Sequence, residues 1–123
     1  MKRKILIIED NVQNMYMLTY LLEINNFQVI QSFNGVDGVS LAEKSAPDAI
    51  LLDIQLPEMD GYSIARELRK NLKLKDTPII AVTSFAMLGD NEKALEAGAT
   101  GYIEKPIDPD TFISQLESFM NSN

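Results

Sequence analysis

The chain has 123 residues, 46% of them hydrophobic, which suits one globular domain and excludes a disordered chain. It contains neither cysteine nor histidine, which excludes disulfide scaffolds, thiolate or imidazole metal sites, and catalytic pairs that use histidine. The formal net charge of -7 argues against nucleic-acid binding, because an acidic surface repels phosphates.

Short apolar segments rich in β-forming residues recur along the chain. The first of them is interrupted by Glu9 and Asp10, so it is too short for a signal peptide or a membrane helix. We therefore expect a cytoplasmic protein with no membrane span. Several of the segments are almost continuously apolar, which is typical of parallel strands covered on both faces. The predicted strands are residues 4–8, 28–32, 49–52, 78–83 and 101–104.

Helical spacing of apolar residues fills the stretches between these strands and follows the last one. Gly98 is predicted to end the fourth helix (about 89–97), and Asp108 with Pro109 to begin the fifth. Strands alternating with helices predict a single α/β domain over residues 1–123, with a five-stranded parallel sheet between helices. The core stripes are Met15, Leu18, Leu21 and Leu22; Val36, Val39, Leu41 and Ala42; Ile64, Ala65, Leu68 and Leu72; Ala94, Leu95 and Ala97; and Phe112, Ile113, Leu116, Phe119 and Met120.

Polar residues end or directly follow four of the predicted strands. Because the carboxyl ends of parallel strands lie along one edge of a sheet, we expect these side chains to converge there. Clustered carboxylates repel one another unless a hard cation such as Mg²⁺ neutralises them, and a lysine beside them suits a phosphoryl oxygen. Each residue alone is an ordinary turn or surface residue, so the combination carries the prediction. The residues are Glu9, Asp10, Asp53, Thr83, Ser84, Glu104 and Lys105.

Four segments resemble the receiver domain of two-component response regulators, the CheY-like family. They are Ile-Leu-Ile-Ile-Glu-Asp-Asn (5–11), Leu-Leu-Asp-Ile-Gln-Leu-Pro-Glu-Met-Asp-Gly (51–61), Ile-Ala-Val-Thr-Ser-Phe-Ala (80–86) and Gly-Ala-Thr-Gly-Tyr-Ile-Glu-Lys-Pro (98–106). The resemblance covers essentially the whole chain and is strongest to stand-alone receivers of the DivK type. It implies a flavodoxin-like, doubly wound (βα)5 sandwich with strand order 2-1-3-4-5.

The resemblance also implies a phosphoacceptor and a metal site. Asp53 would accept the phosphoryl group, and Lys105 would contact it. Asp10 and Asp53 would bind Mg²⁺ directly, Glu9 partly through water, and the backbone carbonyl of Gln55 would complete the set. Mn²⁺ would be an alternative ion. The domain would not be an enzyme in its own right, although it would assist its own phosphorylation and dephosphorylation.

A switch and a set of partners follow from the same resemblance. Thr83 and Tyr102 would move on phosphorylation and change the face made by helix 4, strand 5 and helix 5, where a downstream protein would bind. Lys105-Pro106 would be a cis peptide. Because the chain has no histidine, a histidine kinase or phosphotransfer protein would supply the phosphoryl group. Only three residues follow the last helix, so we expect output through protein–protein contact, with no nucleic acid and no membrane involved.

Two side chains are expected to flank the path of water to the aspartyl-phosphate. Gln55 lies two residues after Asp53, and Phe85 lies two residues after Thr83. Phe85 is bulky and apolar, so we predict that it slows autodephosphorylation.

Three other functions are alternatives to a phosphorylated receiver domain. A flavin-binding flavodoxin-like protein would need a phosphate-binding loop after strand 1, where this chain is acidic. A phosphatase working through aspartyl-phosphate would have an Asp-x-Asp motif on the first strand. In this chain the candidate Asp53 follows the third strand, and Gln55 stands in place of a second aspartate. A receiver-like interaction module that is never phosphorylated is the third alternative.

Overall fold

The computed structural model describes residues 2–56, 60–84 and 90–121, and within α4 it leaves out the side chains of residues 90 and 91. Strands and helices alternate through these ranges. The elements are β1 (Lys4–Ile8), α1 (Val12–Ile24), β2 (Gln28–Ser32), α2 (Gly35–Ser45), β3 (Ala49–Asp53), α3 (Gly61–Arg69), a short 3₁₀ helix (Leu72–Leu74), β4 (Ile79–Thr83), α4 (Asp90–Glu96), β5 (Gly101–Glu104) and α5 (Phe112–Asn121).

The strands form one parallel sheet in the order β2-β1-β3-β4-β5, which confirms the predicted fold class. Alternate residues of each strand face opposite layers. On β1, Leu6 and Ile8 pack with α2, α3 and α4, whereas Ile5 and Ile7 pack with α1 and α5. Helices therefore cover both faces, and the carboxyl ends of all five strands share one edge.

Short polar side chains begin three of the helices. Asn11, Asn34 and Asp60 each accept a hydrogen bond from the backbone N–H three residues later, at 2.8, 2.8 and 3.0 Å. Each cap satisfies an N–H group that has no partner inside the helix. Gly98 ends α4 with φ 112°, and Ala99 N donates to the carbonyl of Ala94, so the predicted C-terminal cap is confirmed.

Three residues predicted to face the core are instead exposed. Leu72 is 84% exposed because α3 ends at Arg69 and Asn71 begins the separate 3₁₀ helix. Val36 is 72% exposed, because α2 turns its small residues toward the sheet: a Cβ at Gly38 would lie 2.6 Å from Ile8 Cδ1. On α4 the stripe is likewise incomplete, and Leu95 is exposed.

The start of α5 also differs from the prediction. The helix begins at Phe112, and residues 109–111 form a turn. The carbonyl of Asp108 accepts hydrogen bonds from the N–H groups of Thr111 and Phe112, while its side chain accepts from Asp110 N at 2.9 Å. Asp108 therefore caps this turn instead of starting a continuous helix.

At the opposite edge of the sheet, Arg69 ties several segments together. Its guanidinium donates to the carbonyls of Leu74, Thr77 and Gly98 at 2.7, 2.7 and 2.8 Å. Burial lowers the pKa of Arg69, partly offset by the charge of Asp76. Within the described ranges, none of the helices combines the length and the apolar character needed to cross a bilayer.

Candidate functional site

The carboxyl ends of the central strands bring the predicted site residues together. Glu9 follows β1, Asp53 ends β3, and Lys105 follows β5. Their backbones are anchored to neighbouring strands, since Glu9 N donates to Ser32 O at 3.0 Å and Lys105 N donates to Thr83 O at 2.8 Å. The sheet register therefore places side chains from opposite ends of the chain around one point.

Three carboxylates meet at this point. One oxygen from each of Glu9, Asp10 and Asp53 lies within 4.8 Å of the others. The Lys105 ammonium lies 3.4 Å from Asp53 Oδ2 and 3.5 Å from Glu9 Oε1. Glu9 and Asp53 are only 2% and 4% exposed, whereas Asp10 is open to solvent. The expected convergence of strand ends is confirmed for these four side chains, whereas Glu104, also expected at this edge, is exposed at the end of β5.

The carboxyl group of Glu9 is buried, which is unfavourable for its ionised form. The pKa of Glu9 is raised to about 7, mainly by burial and also by a hydrogen bond to Asp53 and the charge of Asp53. The Asn11 N–H, 3.1 Å from Glu9 Oε2, and the Lys105 charge act in the opposite direction. Glu9 Oε1 is buried and has no hydrogen-bond partner among the described residues.

These features test whether the site suits a divalent cation. A buried carboxylate oxygen without a hydrogen bond is costly in a protein interior, and two further carboxylates nearby add repulsion. A hard cation bound by oxygen ligands removes both penalties, and Mg²⁺ is commonly held by one or two carboxylates. The cluster of Glu9, Asp10 and Asp53 therefore fits a metal ion of this class.

The loop after β3 holds the Asp53 carboxylate in place. Asp53 Oδ1 accepts a hydrogen bond from Gln55 N at 2.9 Å. Both backbone groups of the next residue, Ile54, are hydrogen-bonded. Ile54 N donates to Val82 O at 3.1 Å, and Ile54 O accepts from Gly61 N at 3.1 Å. A Cβ on Gly61 would lie 2.5 Å from Ile54 Cα, so the start of α3 needs glycine to approach this loop.

One contact of the site was not anticipated from the sequence. Gln55 Oε1 accepts a hydrogen bond from Ser84 N at 3.1 Å, which joins the loop after β3 to the loop after β4. The sequence predicts Ser84 at the end of strand 4 but indicates no role for its backbone N–H. No sequence signal identifies this pair, because the two residues lie on different loops.

The remaining predicted residues are placed as follows. Thr83 is buried at the end of β4, next to the register pair of Asp53 and Val82. Tyr102 is half-buried on β5 and packs against the core layer of α2, α3 and α4. The Lys105-Pro106 peptide is cis, which confirms that expectation. Phe85 and residues 57–59 lie outside the described residues.

A cavity of about 500 Å³ opens beside the carboxylates. Its walls are mostly apolar, and its polar lining includes three of the predicted site residues. It lies toward α1 and the segment that follows β5. The lining residues are Glu9, Asn14, Met17, Leu18, Val82, Ser84, Lys105, Pro106 and Ile107.

Comparison with known families and curated proteins gives a consistent result. Residues 5–117 match the model of the response regulator receiver domain. The chain is 39% identical over 120 residues to the polar-differentiation response regulator DivK of Brucella anthropi, with 98% of each chain covered. It is 38% identical over the same length to DivK of Brucella ovis.

Two solved structures show the same architecture. The receiver domain of the sensor histidine kinase PA1611 from Pseudomonas aeruginosa is 35% identical, with a TM-score of 0.91 and coverage of 99% of this chain and 100% of that one. That structure has a magnesium ion coordinated in its active site cleft. The chemotaxis protein CheY4 of Vibrio cholerae is 25% identical, with a TM-score of 0.93 and coverage of 97% and 99%.

Proposed function

The chain belongs to the response regulator receiver family of two-component systems, and from this we propose that it accepts a phosphoryl group on Asp53. The observation that carries the proposal is the surroundings of that carboxylate. Asp53 is almost fully buried at the strand edge, one of its oxygens lies 3.4 Å from the Lys105 ammonium, and two other carboxylates lie beside it. A carboxylate so placed is suited to act as a nucleophile toward phosphorus.

In the proposed reaction, a carboxylate oxygen of Asp53 attacks the phosphorus of a phosphohistidine on a partner protein. The phosphorus–nitrogen bond breaks, and the imidazole nitrogen keeps the electron pair. The Gln55 N–H holds the carboxylate through its other oxygen, at 2.9 Å, and keeps it oriented during transfer. Lys105 offers a positive charge that attracts the phosphoryl oxygens.

Mg²⁺ or Mn²⁺ would be held by Glu9, Asp10, Asp53 and the backbone carbonyl of Gln55, and it would supply neutralisation of the phosphoryl charge. The buried Glu9 oxygen without a hydrogen bond supports this assignment. Glu9 would also have to be ionised, although burial favours its protonated form. The ion and the ionisation of Glu9 are therefore proposed to occur together.

The consequence of phosphorylation is proposed to be a change in protein–protein contacts. Thr83, buried at the end of β4, would move to bond a phosphoryl oxygen, and Tyr102 on β5 would follow it. The surface made by α4, β5 and α5 would then bind a downstream protein. The donor would be a histidine kinase or phosphotransfer protein, and residues 1–123 would form one signalling domain without independent enzymatic turnover.

Intact-mass measurement after incubation with acetyl phosphate tests the proposal. We expect one added phosphoryl group on the wild type with Mg²⁺, none without Mg²⁺, and none on Asp53→Asn. Asp110→Asn, an exposed acidic residue outside the cluster, serves as the matched control and should behave as the wild type. No mass gain on the wild type, either from acetyl phosphate or from a phosphorylated phosphotransfer protein, would favour an interaction module that is never phosphorylated.

A further inference from the structure

The hydrogen bond between Gln55 and Ser84 replaces a bond that the sheet would otherwise make. Ile54 N donates to Val82 O, so a continued parallel ladder would pair the next N–H of β4, that of Ser84, with the Ile54 carbonyl. The Ile54 carbonyl instead accepts from Gly61 N at 3.1 Å. Ser84 N donates at 3.1 Å to the side-chain oxygen of Gln55, which extends the β3–β4 pairing by one bond.

Ser84 also lies close to the proposed reaction centre. Ser84 lines the same cavity as Glu9 and Lys105, and Lys105 lies 3.4 Å from the Asp53 carboxylate. The backbone N of Gln55 is meanwhile bonded to Asp53 Oδ1. Gln55 therefore contacts the phosphoacceptor through its backbone and the opposite loop through its side chain.

We propose that Gln55 is a positioning residue that acts as a latch: its side-chain oxygen occupies the Ser84 N–H until a phosphoryl group on Asp53 displaces it. The inference rests on the proposed function of Asp53. A phosphoryl group carries three strong acceptor oxygens, and hydrogen bonds to charged oxygens are roughly twice as strong as those to a neutral amide oxygen. The phosphoryl group therefore outcompetes Gln55 for the N–H.

Displacement of the latch links the chemistry to the loops. In the unphosphorylated protein the Gln55–Ser84 bond joins the ends of β3 and β4. After displacement, the Ser84 N–H is bonded to the phosphoryl group, and the Gln55 side chain is released into solvent. The Gln55–Ser84 bond therefore makes phosphorylation less favourable by the free energy of one neutral hydrogen bond.

The test compares Gln55→Met and Gln55→Asn with the wild type. Methionine keeps the length of glutamine but has no strong acceptor, and asparagine keeps the amide but is one methylene shorter. Two quantities are measured: the hydrogen-exchange rate of the Ser84 amide in the unphosphorylated protein, and the affinity for beryllofluoride with Mg²⁺, an analogue of the phosphoryl group. Gln28→Met, at an exposed position on β2, is the control.

We expect both Gln55 variants to exchange the Ser84 amide about five-fold faster and to bind beryllofluoride about five-fold more tightly, the worth of one neutral hydrogen bond. Gln28→Met should match the wild type in both. Unchanged Ser84 exchange, or unchanged or weaker beryllofluoride binding, in both Gln55 variants overturns the latch. If the wild type neither binds beryllofluoride nor gains a phosphoryl group, the proposed function of Asp53 fails as well. If the wild type does both and the Gln55 variants behave like it, only the latch is refuted.

Discussion

At the scale of single residues, the site is defined by an ionisable side chain that is almost completely buried. Glu9 is 2% exposed and shares its surroundings with Asp53 and Lys105. The position of Glu9 in the sequence, directly after an apolar strand, indicates a polar turn and does not predict a buried carboxylate. The raised pKa of Glu9 arises because the residue is buried by the packed chain and faces a second carboxylate.

The raised pKa predicts how stability depends on pH in the absence of metal. The pKa of Glu9 is about 7 in the folded chain, against 4.5 for an unperturbed group. Between these values the folded state binds more protons than the unfolded state, so the free energy of unfolding falls as the pH rises. Through Glu9, the free energy of unfolding should fall by about 2–3 kcal/mol as the pH rises from 4.5 to 7.

Urea unfolding in the presence of a chelator, at pH 5 and pH 8, measures this effect. Glu9→Gln cannot ionise, so the variant should lack the part of the decline that Glu9 causes. Other carboxyl groups titrate in both proteins, and the difference between the two pH profiles isolates Glu9. Parallel profiles for the wild type and Glu9→Gln would show that the site does not raise the pKa of Glu9.

At the scale of elements, α3 is positioned by what its first residue lacks. Gly61 N donates to Ile54 O at 3.1 Å, and its missing Cβ leaves room for the backbone of the loop that follows Asp53. Asp60 caps the same helix through Ser63 N, and this bond lowers the pKa of the Asp60 carboxyl. The start of α3 and the loop after Asp53 are therefore one packed unit.

Two glycine substitutions separate packing against backbone from packing against a side chain. A Cβ on Gly61 would lie 2.5 Å from Ile54 Cα, which cannot move without the loop. A Cβ on Gly38 would instead meet side-chain atoms of Ile8, at 2.6 Å from Cδ1 and 2.8 Å from Cγ1, and no backbone atom. Gly61→Ala should destabilise the fold by about 2 kcal/mol, whereas Gly38→Ala should change stability by less than about 1 kcal/mol.

Denaturant midpoints and phosphorylation rates with acetyl phosphate check this prediction. Only Gly61→Ala should also slow phosphorylation, because its loop carries the Asp53 carboxylate. Equal losses of stability in the two variants, with normal phosphorylation in both, would contradict the proposed coupling of α3 to the site.

At the scale of the whole molecule, binding at one edge of the sheet stabilises every element. The carboxylates that would hold Mg²⁺ follow or end two adjacent strands, β1 and β3, which pair along their length. Unfolding separates these strands and destroys the site. Any ion that binds only the folded chain therefore raises the free energy of unfolding of the complete protein.

We predict that Mg²⁺ at a hundred-fold excess over its dissociation constant raises the free energy of unfolding by about 2.7 kcal/mol. The gain should be larger at pH 8 than at pH 6, because Glu9 must lose its proton for the carboxylate cluster to bind the ion. Thermal melts with and without Mg²⁺ measure it.

Asp10→Asn removes one carboxylate of the cluster and should reduce the gain. Glu96→Gln, on the exposed side of α4, removes the same charge elsewhere and should leave the gain unchanged. A gain of equal size in both variants would indicate screening of the net charge of -7 instead of binding at the site.

Three features could be predicted from the sequence alone: the alternation of strands and helices, the edge of the sheet where Glu9, Asp53 and Lys105 lie, and the residue types found there. These depend on local patterns: apolar segments bounded by polar residues, and motifs such as Leu-Leu-Asp at the end of β3. For α1 the local pattern was sufficient, because all four residues of its predicted stripe are buried. They are Met15, Leu18, Leu21 and Leu22.

Three features could be seen only once the chain was folded: the residues with which α2 and α3 face the core, the depth at which Glu9 is buried, and the groups that meet across loops. Val36 and Leu72 are exposed because α2 approaches the sheet with glycines and α3 ends early, which are consequences of packing that apolar spacing does not contain. The Gln55–Ser84 bond joins residues 29 positions apart in the chain. Such contacts depend on distances between elements, and those distances are set only when all the layers pack together.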